Sequence, residues 1–109
     1  MSNRRKTIKL AELFLDGEST KFGNAKLVKE EEYLDVGDND RIIVQTYIDW
    51  WIEAENVDIQ VTMNGSLMDI EAVDDDSNWY SGAGVISEME MTKGGNIIFL
   101  GIQGNGELK

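Results

Sequence analysis

The sequence predicts a mainly β fold, a small antiparallel β-sandwich or partly closed barrel with one short N-terminal helix at most. Three observations predict it: short apolar runs alternate with turn residues from Ala25 onward, β-branched and aromatic residues dominate these runs, and 11 glycines but no proline occur in 109 residues. A chain of this length with 41% apolar residues is expected to bury one core. We therefore expect a single β-rich domain over residues 7–109, preceded by a basic N-terminal arm, residues 1–6.

The first element, residues 7–16 (TIKLAELFLD), fits two structures. Leu10, Leu13 and Phe14 recur at helical spacing and Gly17 follows them, which favours a short helix ending on a glycine. Ile8, Leu10 and Phe14 also alternate, and a helix this short is marginal unless one face is buried. A strand therefore stays open as the alternative.

Two strands are predicted next, at Leu27–Leu34 and Arg41–Ala54, joined by a turn at Asp35–Asp40. The second run alternates, with Trp50 on the more apolar face and Tyr47 and Trp51 on the more polar one. We expect Trp50 in the core and the other two aromatic side chains at the surface.

Two hairpins are predicted in the second half of the chain. Residues 57–73 (VDIQVTM-NG-SLMDIEAV) alternate on both sides of Asn64-Gly65, the pair preferred in two-residue type I′ turns. This register sets Ile59 opposite Ile70 and Val57 opposite Ala72, because a one-residue slip would bury acids. The second hairpin spans Val85–Ile102, with its turn at Thr92–Asn96.

Charge is distributed unevenly along the chain. Residues 1–29 hold seven basic and three acidic side chains, whereas residues 30–109 hold three basic and 18 acidic ones, for a net charge of −11. Residues 42–92 contain 11 acids and no lysine or arginine. This segregation favours protein partners of opposite sign for the arm and for the body, and it disfavours direct nucleic-acid binding by the acidic body.

The absence of two residue types from the chain disfavours several classes of function. It has no cysteine and no histidine, so thiol nucleophiles, thiolate metal sites and imidazole general bases are excluded. We therefore expect no enzyme and no cofactor. The N-terminus lacks the apolar region of a cleaved signal peptide, and no apolar run is long enough to span a membrane, so a cytoplasmic or virion location is expected.

Asp74, Asp76 and Asn78 have the D-x-D-x-N spacing that opens a calcium loop. The EF-hand pattern then fails, because Trp79 and Val85 stand where a glycine and a glutamate are required. A divalent-cation site of another kind stays open here, against the simpler interpretation of a solvated acidic turn; Asp38 and Asp40 are a second weak cluster of the same sort.

Candidate partner-binding residues are basic or aromatic: Arg4, Arg5, Lys6, Lys9, Tyr47, Trp51, Trp79 and Tyr80. The leading hypothesis is a non-enzymatic assembly protein that binds a protein partner or its own copies, with the general profile of small virion accessory proteins such as phage capsid decoration or tail components. One alternative is an acidic inhibitor that imitates nucleic acid. Another is a calcium-assisted carbohydrate-binding module using Trp79, Tyr80 and the aspartates at 74–76.

Overall fold

The computed structural model describes residues 2–36, 42–59 and 65–109, with side chains for residues 5–30, 49–59 and 65–109. It contains seven strands: β1 (Ser2–Leu15), β2 (Glu18–Thr20), β3 (Asn24–Val36), β4 (Ile42–Val57), β5 (Met68–Asp74), β6 (Trp79–Met91) and β7 (Ile97–Asn105). No helix occurs in the part of the chain that the structure describes, and accordingly none there is long and apolar enough to cross a membrane.

Six of the strands close into an antiparallel barrel, which confirms the predicted fold class. The order β1-β3-β4-β7-β6-β5 returns to β1 because β5 pairs with residues 10–15 of β1, while β2 adds to the other edge of β1. Within the barrel, closure pairs the strand edges with one another, which protects them in a chain that has no proline to do so.

The helix predicted over residues 7–16 is wrong, and the strand alternative is confirmed. Leu10, Leu13 and Leu15 are all buried, and the β1–β5 register shifts between Leu10 and Glu12. This bulge inserts one extra residue into the alternation, so inward positions three apart mimic a helical repeat. Gly17 is the second residue of a two-residue turn rather than a helix cap, because Asp16 and Gly17 have φ values of 51° and 81° and Leu15 pairs with Glu18.

The strands predicted at Leu27–Leu34 and Arg41–Ala54 are confirmed as β3 and β4, which form the longest ladder in the sheet. Most of the turn expected between them, together with Asp38 and Asp40, lies outside the described residues. The second predicted hairpin is also confirmed: β6 and β7 pair from Met91 opposite Ile97 to Ala83 opposite Asn105.

The pairing predicted for residues 57–73 is wrong, although β5 itself is a strand. Ile70 pairs with Leu15 of β1 and Gly82 of β6, so both edges of β5 are occupied. Val57 pairs instead with Ile97. Barrel closure buries the same apolar face of β5 that the predicted hairpin would have buried, so alternation alone did not identify the strand that pairs with β5. Asn64, in the predicted turn, lies outside the described residues.

The core fills the barrel with side chains from every long strand. Its largest fully buried members are Trp50, Leu13, Leu27, Ile52, Ile70, Leu100 and Ile102. Trp50 is 1% exposed, which confirms its predicted place in the core. Its indole N–H donates to the Gly106 carbonyl at 3.1 Å, and Leu108 packs against the core while Lys109 pairs with the Ser81 backbone. The C-terminal residues thereby cover one region of the barrel around Trp50.

Three strands continue beyond the barrel as a sheet that we call the extension: residues 2–6 of β1, 29–36 of β3 and 42–50 of β4. Lys6 pairs with Lys29, and Lys29 with Trp50, at its base. The pairing of β4 with β7 ends at Trp51 and Gln103. The radius of gyration, 16.0 Å, is accordingly larger than the roughly 13 Å of a compact 100-residue domain.

Candidate protein-binding surfaces

The outer surface carries a cluster that we call the Trp51 patch: Arg5, Val28 and Trp51. Val28 pairs with Trp51, and their chain neighbours Leu27 and Ile52 point into the core, so this pair points outward. Val28 is nevertheless only 4% exposed and is not part of the core cluster. Val28 is thus an outward-facing valine that is nevertheless buried, and it lies between its paired residues Thr7 of β1 and Trp51 of β4.

Arg5 completes the Trp51 patch. Its guanidinium lies 5.4 Å from the centroid of the Trp51 ring and donates from Nη2 to Glu30 Oε2 at 2.9 Å. An arginine placed between an aromatic face and a carboxylate combines a cation–π contact with an ion pair. The patch thus binds an arginine supplied by its own chain.

A second outer cluster, the Trp79 patch, consists of Phe14, Val73 and Trp79. Val73 pairs with Trp79 and, like Val28, is buried outside the core cluster, at 5% exposure. The rings of Phe14 and Trp79 stack with centroids 5.8 Å apart and planes 14° from parallel. Trp79 still exposes 60% of its surface, so the ring packs against Phe14 while a large apolar area faces solvent.

Carboxylates surround the Trp79 patch. Glu12 pairs with Val73 and Glu71 pairs with Phe14, which sets both acids on the same outer face as the aromatic rings. Asp75 and Asp76 lie in the turn just before Trp79, and all four carboxylates belong to exposed residues. The salt bridges Arg5–Glu30 and Lys26–Glu53 involve other residues of the surface. The patch is therefore bordered by carboxylates, two of which, Asp75 and Asp76, share a groove with Lys6 and Lys9.

Asp74 organises the turn that leads to Trp79. Its Oδ1 accepts the backbone N–H groups of Asp76 and Asn78, and its Oδ2 accepts the Asn78 amide and the Tyr80 hydroxyl, at 2.9 to 3.0 Å. The backbone hydrogen bond from Asn78 is the main cause that lowers the pKa of the Asp74 carboxyl, against the opposing effect of its burial. Burial, and then the bond to Asp74, raise the pKa of Tyr80.

This hydrogen-bond set gives the D-x-D-x-N spacing a structural role in a capped turn. Asn78 turns its amide nitrogen toward Asp74, and both Asp74 oxygens already accept bonds. Within the described ranges, no three acidic side chains are placed to share a metal ion. The divalent-cation site at Asp74, Asp76 and Asn78 stays a prediction.

The predicted partner-binding residues fall into separate regions. Arg4 and Tyr47 lie in the extension, opposite Glu31 and Glu32 of β3, and their side chains are outside the described set. Lys6 and Lys9 line an open groove of about 310 Å³ together with Asp75, Asp76 and the half-buried Tyr80. Residues 2–6, expected as an arm, are part of β1 and pair with β3.

Sequence reasoning missed Phe14, Val28 and Val73. Phe14 was assigned to the apolar face of a helix, and both valines look like ordinary core residues in an alternating run. Their role depends on which strand lies alongside, which alternation does not reveal.

No protein-family model matches the chain, and no curated protein sequence is significantly similar to it.

Proposed function

We propose that the protein is a non-enzymatic assembly component, a small β module that docks on another protein through the Trp79 patch. The observation that carries the proposal is the likeness between the two outer patches. In each patch a tryptophan is paired with a buried, outward-facing valine near a glutamate, and in the Trp51 patch the tryptophan and the glutamate contact an arginine. The Trp79 patch offers the same chemistry on a more exposed ring.

The proposed partner presents an arginine on an otherwise apolar surface. Its guanidinium would stack on Trp79 and pair with Glu71 or Glu12, as Arg5 does with Trp51 and Glu30. Stacking on Phe14 fixes the Trp79 ring before binding, which reduces the entropy lost on docking. Tryptophan is one of the three residue types enriched among the few side chains that dominate interface energies.

Docking is assigned to the Trp79 patch rather than to the basic arm, because Arg5 is already engaged by Glu30 of its own chain at 2.9 Å. The small size, the charged surface and the exposed aromatic face fit an accessory protein of a larger particle. Within this proposal, the virion accessory class, a capsid decoration or tail component, is the narrower assignment, and it rests on general profile alone.

Sedimentation of the tagged chain from the cells that produce it tests the proposal. The wild-type chain is expected to run with a large particle at a fixed copy ratio, and Trp79→Ala is expected to run as the free chain. Loss of a central tryptophan costs about 2 kcal/mol or more, roughly a 30-fold weaker Kd.

Leu67→Ala is the matched control, since Leu67 is 58% exposed but precedes the opposite end of β5 from the Trp79 pairing. It should stay with the particle. A wild-type chain found only in the free fraction would contradict the proposal, as would identical behaviour of the two variants.

The acidic nucleic-acid mimic is a second candidate, and the carboxylates around the Trp79 patch favour it. Such an inhibitor would form a small soluble complex with a basic enzyme instead of joining a particle. Its binding would fall steeply with salt and would weaken in a Glu12→Gln/Glu71→Gln variant. The sedimentation experiment distinguishes the assembly component from the inhibitor, because a small inhibitor–enzyme complex would sediment slowly and would not run with a large particle.

A further inference from the structure

The extension has two open edges of opposite character. The β1 edge begins with residues 2–6 of the extension and continues to residue 9, and residues 2–9 pair with β3 on one side only. Residues 42–50 of β4 also pair with β3 on one side, with no second partner strand for either segment in the described ranges. On β4, the side chain of Gln103 marks where pairing stops, because its Nε2 donates to the Asp49 side chain at 2.7 Å and lies 3.3 Å from the Trp50 carbonyl. Unpaired edges of this kind are templates for another strand.

The two edges differ in their amino-acid composition. The β1 segment (SNRRKTIK) carries four basic residues, the usual protection of an exposed edge. The β4 segment (IIVQTYIDW) has no charge before Asp49 and is rich in β-branched and aromatic residues. Only the β4 edge is left without charge to discourage pairing.

We infer that the β4 edge, residues 42–50, pairs antiparallel with the same edge of a second copy, forming a dimer around a two-fold axis. The inference does not depend on the Trp79 patch and goes beyond the proposed docking. Pairing of two β1 edges would bring arginines and lysines of both copies together, whereas two β4 edges bring no like charges together over residues 42–48.

The resulting sheet would run β1-β3-β4 into β4-β3-β1 of the second copy. Both outermost strands would then be the basic β1 segments, which resist further addition. A two-fold contact of this kind is closed, so it yields a dimer rather than a fibre. The bulge between the Glu32 and Tyr33 pairings divides the β4 edge near Thr46, so we expect paired runs on both sides of it.

Salt dependence distinguishes this dimer from docking by opposite charges. Each copy carries a net charge of −11, so electrostatic repulsion between copies should weaken the dimer at low salt. Sedimentation equilibrium at about 0.01 M and about 1 M salt, where the screening length is roughly 30 Å and 3 Å, measures the fraction of dimer, which has twice the 12.3 kDa chain mass. This fraction is expected to be larger at high salt. Association that instead falls as salt rises would overturn the inference.

Two variants locate the contact. Val44→Lys/Thr46→Lys adds two charges to the β4 edge and should remain monomeric at every concentration. Ser2→Lys/Thr7→Lys adds the same charge to β1 and should dimerise like the wild type. A folded β4 variant that still dimerises overturns the inference, and so does a wild type that stays monomeric at both salts.

Hydrogen exchange on the wild type keeps the test independent of how the variants fold. In a sample where nine-tenths of chains are dimeric, the outward amides of residues 42–50 should exchange about tenfold more slowly than in a dilute sample, because exchange there requires dissociation. Amides of residues 2–9 should not change. Equal rates for β4 at both concentrations refute the contact, and Trp79→Ala, which tests docking, should leave this result unaltered.

Discussion

Substitution of Gly104 by alanine tests how tightly the barrel is packed around Trp50. A Cβ atom at Gly104 would lie 2.2 Å from Trp50 Cε2, 2.3 Å from Cδ2 and 2.6 Å from Nε1. Carbon atoms pack at about 3.5–4.0 Å, so the indole would have to move by more than about 1 Å. Trp50 has little room to do so, because it is 1% exposed and a Cβ at Gly82 would already stand 2.8 Å from its Cζ2.

Two costs add in the Gly104→Ala variant. Overpacking of a core by one methyl group costs about 1–3 kcal/mol, and displacement of the indole also weakens its hydrogen bond to Gly106, a loss of about 1 kcal/mol. We expect a decrease of about 2–4 kcal/mol in the free energy of unfolding. With an m-value of about 2 kcal/mol/M, the urea midpoint falls by about 1–2 M.

Urea unfolding followed by circular dichroism measures this shift. Gly94→Ala is the control, since a Cβ there meets nothing closer than 3.8 Å and surface changes usually stay within about 0.5 kcal/mol. Trp50→Leu should remove most of the penalty of Gly104→Ala when the two are combined, because the clashing ring is gone. A Gly104→Ala protein as stable as the control, or full additivity in the double variant, would refute this account of the packing.

Three further predictions follow from the surface. Folding lowers the pKa of Asp74, so the stability that this carboxylate contributes is present above the usual carboxyl pKa of about 4 and is lost as pH falls through the lower folded value. Asp74→Asn should therefore lose less Tm on acidification than the wild type does. Parallel curves of Tm against pH for the two proteins would contradict this. A double-mutant cycle of Arg5→Ala and Glu30→Gln, measured by urea unfolding, should give a coupling energy of only about 0.2–1 kcal/mol, because the pair is exposed. A lysine at position 5 should not reproduce the stacking of Arg5 on Trp51. A coupling energy above about 2 kcal/mol would indicate a buried pair instead. Millimolar calcium should leave Tm unchanged, because Asp74 already accepts four hydrogen bonds; a rise in Tm would show binding to the folded state and would support the carbohydrate-binding alternative.

The candidate surfaces were only partly predictable. Trp51 and Trp79 were identified from their places beside polar residues, and the D-x-D-x-N turn was identified from spacing. Neither signal indicated that Asp74 would be buried at 6% exposure or that Phe14 would stack on Trp79. Both features depend on β1 lying against β5, a contact between segments more than 50 residues apart in the sequence.

Local sequence information was sufficient to predict the β class, the β6–β7 hairpin and the burial of Trp50. Each of these follows from local information, because alternation assigns side chains to faces and turn residues fix where a chain reverses. The pairing of β5 with β1 and β6, the bulge in the strand at residues 7–16, and the burial of Val28 and Val73 beside outer tryptophans depend on contacts between distant segments. The physical reason is that backbone hydrogen-bonding groups are the same at nearly every residue. The choice of partner edge therefore depends on which closure buries the most apolar surface across the whole chain.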